Sequence, residues 1–239
     1  MPSETVSYEA DGLTMKGQLF RPAGASGARP GVIVFPEAFG LGEHALDKAE
    51  KIAALGYVAL AADLHGEAKQ FTDMESMMPV LGQLAQSPPK VRARATAAMN
   101  ALTAQSGVDG SKVAAIGYCF GGAMAIELGC TGANVAAIVG FHSGLSSINV
   151  DGLGAIKGRL LLCLGADDPG ITPEHRAAFE AGLKKGGVSW DMHLYGKVVH
   201  SFTNPAADAM GNPAFLKYDA RANTESFEAM KRLFAETLG

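Results

Sequence analysis

Short, continuously apolar segments alternate with amphipathic segments along most of this 239-residue chain. A strand buried on both faces has such an unbroken apolar pattern, whereas longer amphipathic stretches predict helices packed against a sheet. The alternation favours an α/β fold with a mostly parallel central sheet and helices on both faces. Predicted strands lie at residues 32–35, 57–62, 113–116, 135–141, 159–164 and 189–195. Predicted helices lie at residues 44–55, 72–86, 90–105, 122–129, 173–186 and about 223–238.

The N-terminal segment has a different pattern. Residues 5–10 and 13–21 alternate polar and apolar positions around Asp11-Gly12, a dipeptide typical of tight hairpin turns. This alternation predicts an N-terminal β-hairpin that precedes the parallel strands. No internal repeat, low-complexity tract or obvious linker interrupts the sequence, so we expect a single domain over residues 1–239.

The sequence Gly117-Tyr118-Cys119-Phe120-Gly121 lies between a predicted strand and a predicted helix. Strand, sharp turn and helix form the context of a nucleophile elbow, in which cysteine here replaces the more usual serine. The strained turn leaves almost no room for side chains two residues before and two residues after the nucleophile, and both positions are glycine. The motif therefore predicts an enzyme that attacks a carbonyl carbon with a thiolate.

A cysteine nucleophile needs a base, and the base needs an acid that orients it. In elbow enzymes the acid and then the histidine follow the nucleophile along the chain. His200 comes after the last predicted strand and would accept the thiol proton and later deliver it to the leaving group. Asp167 and Asp168 follow a buried strand at the same edge of the sheet, and either could hold the imidazole. The alternative interpretation of His200 is an exposed loop histidine.

Two backbone N–H groups are expected to stabilise the oxyanion of the tetrahedral intermediate. One belongs to Phe120, the residue after the nucleophile. The second would come from Ala38 or Phe39, in the loop after strand 32–35, and we prefer Ala38. Glu37 in the same loop would disfavour a facing thiolate through like-charge repulsion, although it could equally be a solvated loop residue.

Composition and charge argue against several other classes of protein. The formal net charge of −4 gives no reason to expect nucleic acid or an anionic membrane as a partner. The N-terminus lacks the basic and apolar regions of a signal peptide. The three cysteines have neither CxxC nor metal-ligand spacing, and Cys130 and Cys163 are expected to be small core residues. An odd cysteine count without a secretory signal predicts reduced thiols and a cytoplasmic protein.

These motifs resemble those of the dienelactone hydrolase family, a family of cysteine-dependent α/β-hydrolases. The resemblance includes the elbow, the loop after the third strand, residues 165–168 and residues 195–202, and it covers nearly the whole chain. In that family the acid stands three residues after a glycine, which implies Asp168 rather than Asp167. The resemblance also implies that Glu37 contacts the resting thiol. It further implies hydrolysis of lactones or esters through an acyl-enzyme, with no metal or organic cofactor.

One position departs from the family pattern. Members that open the lactone ring of dienelactone bind the substrate carboxylate through arginines, one of which lies just after the His-Ser-Phe step. In this chain Asn204 stands there and brings no charge, while Arg92 or Arg94 on a predicted helix could supply another cation.

The methionines within residues 74–78 are expected to form the buried face of one helix. Candidate substrate-contacting residues are Phe39, Tyr118, His142, Ser201, Phe202 and Asn204. The three aromatic residues could equally pack in the core, and His142 could equally be a structural histidine.

The sequence thus predicts a hydrolase of small lactones or carboxylic esters with a Cys119-His200-Asp168 triad. Two other hypotheses stay open. One is a binding protein that keeps the fold and the pocket but has no turnover. The other is a thiol redox protein that uses Cys119, although the sequence shows no neighbouring resolving cysteine.

Overall fold

The centre of the molecule is one eight-stranded sheet, seen in a computed structural model that describes residues 3–24 and 26–239. The strands are β1 (Ser3–Ala10), β2 (Leu13–Phe20), β3 (Arg29–Phe35), β4 (Val58–Ala61), β5 (Val108–Tyr118), β6 (Ala137–Phe141), β7 (Arg159–Gly165) and β8 (Trp190–Tyr195). They are arranged in the order β1-β2-β4-β3-β5-β6-β7-β8. The predicted hairpin is formed by β1 and β2; β2 also pairs antiparallel with β4, and the remaining pairs are parallel. This mixed sheet confirms the predicted α/β-hydrolase fold.

Helices cover both faces of the sheet, as the sequence predicts. They are α1 (Glu43–Ala54), α2 (Met74–Ala85), α3 (Pro88–Thr103), α4 (Phe120–Cys130), α5 (Pro173–Gly186) and α6 (Ala220–Thr237). The buried side chains of α1 and α6 pack on one face, and those of α2 to α5 pack on the other. Within the described ranges, every helix is too short or too polar to cross a membrane.

The apolar pattern of the central strands follows from this two-sided burial. In β3, Ile33 and Phe35 face the core under α2 to α5, whereas Val32 and Val34 face the core under α1 and α6. All four side chains are fully buried. Because burial of one such side chain stabilises a fold by roughly 1.5–3 kcal/mol, each core selects apolar residues at every position of the strand.

The strand that leads to Cys119 is longer than the sequence predicts. The apolar pattern predicts a strand that begins at residue 113, whereas β5 begins at Val108. Val108 and Asp109 pair with the first residues of β3, and a register shift follows between Pro30 and Gly31. This extension carries polar, partly exposed residues, so it lacks the apolar signal of a buried strand.

Candidate active site

The elbow holds Cys119 in a strained backbone conformation between β5 and α4. Its φ of 55° and ψ of −119° lie in a region that residues with a side chain rarely adopt. A Cβ atom at Gly117 would lie 2.0 Å from the Gly121 carbonyl oxygen, and one at Gly121 would lie 2.3 Å from the Pro36 oxygen. The predicted need for two glycines therefore has a direct steric cause.

Asp168 and His200 are joined by a buried hydrogen bond. His200 Nδ1 lies 2.6 Å from Asp168 Oδ2, and the exposed fractions of the two side chains are 8% and 0%. Asp168 Oδ1 accepts a second hydrogen bond from the Gly170 N–H at 2.8 Å. Asp167 is exposed, and its N–H donates to the Val198 carbonyl. Of the two aspartates that follow β7, the structure brings Asp168 to the histidine.

The pKa of His200 reflects its two partners. Burial by itself would lower the pKa, but the negative charge of a Cys119 thiolate and the hydrogen bond with Asp168 outweigh burial and raise the pKa to about 10. The imidazolium form is thus stabilised next to the elbow. Such an arrangement can hold a thiolate and a proton donor side by side.

The Glu37 carboxylate is hydrogen-bonded on both oxygens. Oε1 accepts from the Ser201 hydroxyl at 2.9 Å, and Oε2 accepts from the Asn204 amide at 2.5 Å. His44 Nδ1 lies 3.7 Å from Oε2. In the described part of the chain no hydrogen bond joins this carboxylate to the Cys119 thiol, unlike the resting contact that the family resemblance implies.

The two predicted oxyanion donors come from the start of α4 and from the loop after β3. Phe120 is the first residue of α4, where backbone N–H groups have no partner within the helix. Ala38 lies in a turn that is closed by a hydrogen bond from the Gly40 N–H to the Glu37 carbonyl at 3.0 Å. Ala38 and Phe39 both line the cavity that Cys119 lines.

This cavity has a volume of about 220 Å³ and is mostly apolar. Its lining residues are Glu37, Ala38, Phe39, Met74, Met77, Met78, Leu81, Cys119, His200, Ser201, Asn204, Ala207, Met210, Phe215 and Leu216. The expectation that the methionines of α2 form a buried helix face was wrong. Met77 is buried, but Met74 and Met78 are 43% and 50% exposed, and all three contribute to the cavity wall.

Three predicted substrate contacts are buried away from the cavity, which corrects that part of the prediction. Tyr118 stacks on Phe141 with 4.8 Å between ring centroids, and Phe202 is fully buried. His142 is also fully buried, with Nδ1 accepting from the Cys119 N–H at 3.2 Å and Nε2 lying 2.8 Å from Thr203 Oγ1. Both of its ring nitrogens have protein partners, so His142 contacts the backbone of the elbow rather than a substrate.

Neither candidate arginine reaches the cavity. Arg92 forms an ion pair with Glu127 at 2.7 Å, and Arg94 pairs with Asp11 at 2.8 Å and donates to the Leu64 carbonyl. No arginine or lysine of residues 3–24 and 26–239 lines the cavity. The described site therefore lacks the arginine that would bind a substrate carboxylate with two parallel hydrogen bonds.

Several lining residues were missed by sequence reasoning. Met74, Met77, Met78 and Leu81 have the i, i+3, i+4, i+7 spacing of one helix face, so their common orientation was predictable. What that face meets depends on where α2 packs. Met210, Phe215 and Leu216 lie in and after a 3₁₀ helix (Pro205–Met210), which has no periodic pattern in the sequence.

Comparison with known proteins agrees with this geometry. Residues 15–238 match the model of the Dienelactone hydrolase family. The chain belongs to the dienelactone hydrolase family. A dienelactone hydrolase-like promiscuous phosphotriesterase from metagenomic libraries is 45% identical, with a TM-score of 0.95 over 100% of this chain and 99% of that one.

Curated relatives of this dienelactone hydrolase family member are more distant. A Bradyrhizobium protein, named a probable 2-oxo-3-(5-oxofuran-2-ylidene)propanoate lactonase, is 25% identical over 87% of this chain and 89% of the relative. A Salmonella typhimurium protein, provisionally named a carboxymethylenebutenolidase, is 25% identical over 82% and 76% of the two chains. Family and relatives together identify a hydrolase that acts on a small molecule.

Proposed function

We propose that this dienelactone hydrolase family member cleaves uncharged carboxylic esters or lactones through a Cys119-His200-Asp168 triad. The observation that carries the proposal is the 2.6 Å hydrogen bond between His200 and Asp168 at a cavity that Cys119 also lines. A nucleophile, a base and an orienting acid are the minimal set for acyl transfer.

The reaction would proceed in two halves. His200 takes the thiol proton, and the Cys119 thiolate attacks the carbonyl carbon to give a tetrahedral oxyanion held by the N–H groups of Phe120 and Ala38. The C–O bond to the alcohol then breaks, His200 protonates the departing alkoxide, and a thioester remains. His200 next removes a proton from water, whose oxygen attacks the thioester. The C–S bond breaks, the carboxylic acid leaves, and Cys119 recovers its proton.

Ser201 and Asn204 hold Glu37 as a fixed negative charge in the cavity wall. The Glu37 carboxylate can approach the thiol, as a gate for thiolate formation, only by giving up these two hydrogen bonds. In its observed position it disfavours an anionic substrate through like-charge repulsion. This charge, together with the absence of a lining arginine or lysine in the described chain, favours neutral substrates over carboxylate-bearing lactones such as dienelactone.

A neutral phosphotriester is a second candidate substrate. The solved phosphotriesterase is 45% identical over the whole chain, and an apolar cavity with no arginine or lysine among its described lining residues suits an uncharged triester. The Cys119 thiolate would attack phosphorus, expel an aryloxide and form an S-phosphoryl enzyme that water then hydrolyses.

The decisive experiment measures turnover of four substrates: 4-nitrophenyl butyrate, an uncharged γ-lactone, dienelactone and diethyl 4-nitrophenyl phosphate. Wild type is compared with Cys119→Ala and Cys119→Ser, and the buried Cys130→Ala serves as the matched control. We expect turnover of the neutral esters or lactones that Cys119→Ala abolishes and Cys130→Ala retains, with both variants folded.

Each contrary result identifies a different alternative. Preference for dienelactone would contradict the neutral-substrate part of the proposal. Ligand binding without Cys119-dependent turnover would favour the binding protein, and rapid peroxide consumption without esterase activity would favour the redox protein.

A further inference from the structure

The loop after β3 forms a type I turn with its N–H groups on one side. The Gly40 N–H closes the turn on the Glu37 carbonyl, and neither Ala38 nor Phe39 has the positive φ that types II and II′ require. Since a type I turn is close to one turn of helix, the N–H groups of Ala38 and Phe39 point to the same side. The Ala38 carbonyl points to the opposite side.

That carbonyl is held by a buried histidine outside the triad. His65 Nε2 lies 2.8 Å from the Ala38 oxygen, and His65 is only 8% exposed. Because a carbonyl oxygen can only accept, the neutral ring must carry its proton on Nε2. His65 Nδ1 is buried and has no hydrogen-bond partner in the described structure. Burial lowers the pKa of His65, which agrees with a neutral ring.

The segment that carries His65 is anchored on a buried aspartate. Asp63 accepts hydrogen bonds from the N–H groups of His65, Gly66 and Ala68, and from Lys16 on the neighbouring strand. The cation of Arg94, pairing with Asp11, donates to the Leu64 carbonyl at 2.7 Å. The backbone is thus held by hydrogen bonds both before and after His65, which fixes the position of this residue.

Two further contacts join this segment to the turn. The Phe71 N–H donates to the Phe39 carbonyl at 2.9 Å, and Gly40 forms a β-bridge with Gln70. A Cβ at Gly40, whose φ is 98°, would lie 2.4 Å from the Lys69 carbonyl. The turn and residues 63–71 therefore pack as one unit behind the cavity wall.

We propose that His65 is a positioning residue for the oxyanion hole, which it orients by donating its Nε2–H to the Ala38 carbonyl. This inference rests on the proposed acyl transfer and deepens it. A peptide plane is rigid, so fixing the Ala38 carbonyl fixes the Phe39 N–H of the same peptide. The hydrogen bond from the Gly40 N–H to the Glu37 carbonyl constrains the neighbouring peptide, which carries the Ala38 N–H. His65 touches no substrate and acts only through the turn.

Catalysis depends on this orientation because the donors must face the oxyanion before it forms. Removing one oxyanion donor outright typically costs 10²–10³ in kcat, so a donor that loses its support should cost about tenfold or more. Substrate binding before the attack uses the apolar wall and should change little. The expected signature is a loss in kcat at nearly constant KM.

The test compares His65→Leu, which removes the donor, with His65→Gln, whose amide nitrogen can reach the position of Nε2. His175→Leu is the matched control, since His175 in α5 also has a buried Nδ1 without a partner. Each variant is assayed with 4-nitrophenyl butyrate and with a butyryl-like trifluoromethyl ketone. That ketone adds the Cys119 thiol across its carbonyl and mimics the oxyanion. Thermal unfolding is recorded in parallel.

We expect His65→Leu to lower kcat about tenfold or more and to weaken the binding of the ketone by a similar factor. The KM should stay within about twofold of the wild-type value. His65→Gln should recover most of both losses, and His175→Leu should match wild type. Unchanged kcat in a folded His65→Leu protein would overturn the proposal while leaving the triad intact. Equal losses in both His65 variants, in proportion to lost stability, would assign His65 a purely structural role. Absence of Cys119-dependent turnover in wild type would overturn both proposals.

Discussion

Asp168 uses its two carboxylate oxygens for two different partners: Oδ2 faces His200 Nδ1 at 2.6 Å, and Oδ1 accepts the Gly170 N–H at 2.8 Å. The backbone donor fixes which oxygen is available to the histidine. In the neutral ring the proton is therefore held on Nδ1, so Nε2 is the atom that exchanges a proton with the nucleophile.

Asp168→Asn should lower kcat by roughly 10³–10⁴ with little loss of stability. The Asn oxygen would keep the Gly170 N–H, so its amide nitrogen would face His200 Nδ1 and impose the tautomer that cannot accept the thiol proton. Steady-state kinetics on 4-nitrophenyl butyrate checks this, with the exposed Asp167→Asn as control. A small effect of Asp168→Asn, or a large effect of the control, would contradict the assignment of the acid.

The raised pKa of His200 predicts a pH dependence of stability. Its value of about 10 exceeds the usual 6.5, so between these pH values the folded state binds more protons than the unfolded state. The stabilising contribution is complete below about pH 6.5 and is lost as the pH rises through about 10. Urea unfolding of wild type should show the free energy of unfolding falling across this window.

Cys119→Ala should lower the pKa of His200, because the variant lacks the thiolate that raises it while burial remains. NMR titration of the imidazole signal measures the shift directly. The unfolding free energy of this variant should also fall less steeply with pH than that of wild type. An unchanged imidazole titration would mean that Cys119 and His200 are not electrostatically coupled.

Glu37→Gln should make the cavity more tolerant of anions. Removing one negative charge from the wall should raise the ratio of kcat/KM for 4-nitrophenyl hemisuccinate to that for 4-nitrophenyl butyrate by about tenfold. The ratio cancels any effect on the thiol that both substrates share. Ser201→Ala, which removes a donor to Glu37 but leaves the charge, should change the ratio much less. Equal ratios in wild type and Glu37→Gln would show that this charge does not govern selectivity.

Alanine substitutions of Met77 and Met78 should differ in their effect on protein stability but should both change the preferred size of the substrate. Met77→Ala should destabilise the protein by about 2–3 kcal/mol because Met77 is buried, whereas Met78→Ala should cost less than about 0.5 kcal/mol. Both line the cavity, so both variants should shift the preference along a 4-nitrophenyl ester series towards longer acyl chains. Urea denaturation and kcat/KM across acyl lengths provide the measurements, and an unshifted series would remove α2 from the acyl site.

The sequence alone determined the order of elements and the elbow. An unbroken apolar strand, two glycines and an apolar helix suffice for the turn around Cys119, because its geometry is decided within about ten residues. Burial on both faces of β3 and β5 is likewise predictable from their uninterrupted runs of apolar residues. The catalytic edge follows from the rule that parallel strands place their carboxyl ends together.

Only the tertiary structure decided what each side chain meets. Asp167 and Asp168 are adjacent in the sequence, yet one is exposed and the other is buried on His200. From the sequence, Arg92 and Arg94 could equally have reached the pocket. In the structure they form ion pairs with Glu127 and Asp11 instead. His65, 27 residues from Ala38, carried no local signal at all. Local periodicity fixes the direction of a side chain along its own element, but contacts between distant elements depend on how those elements pack.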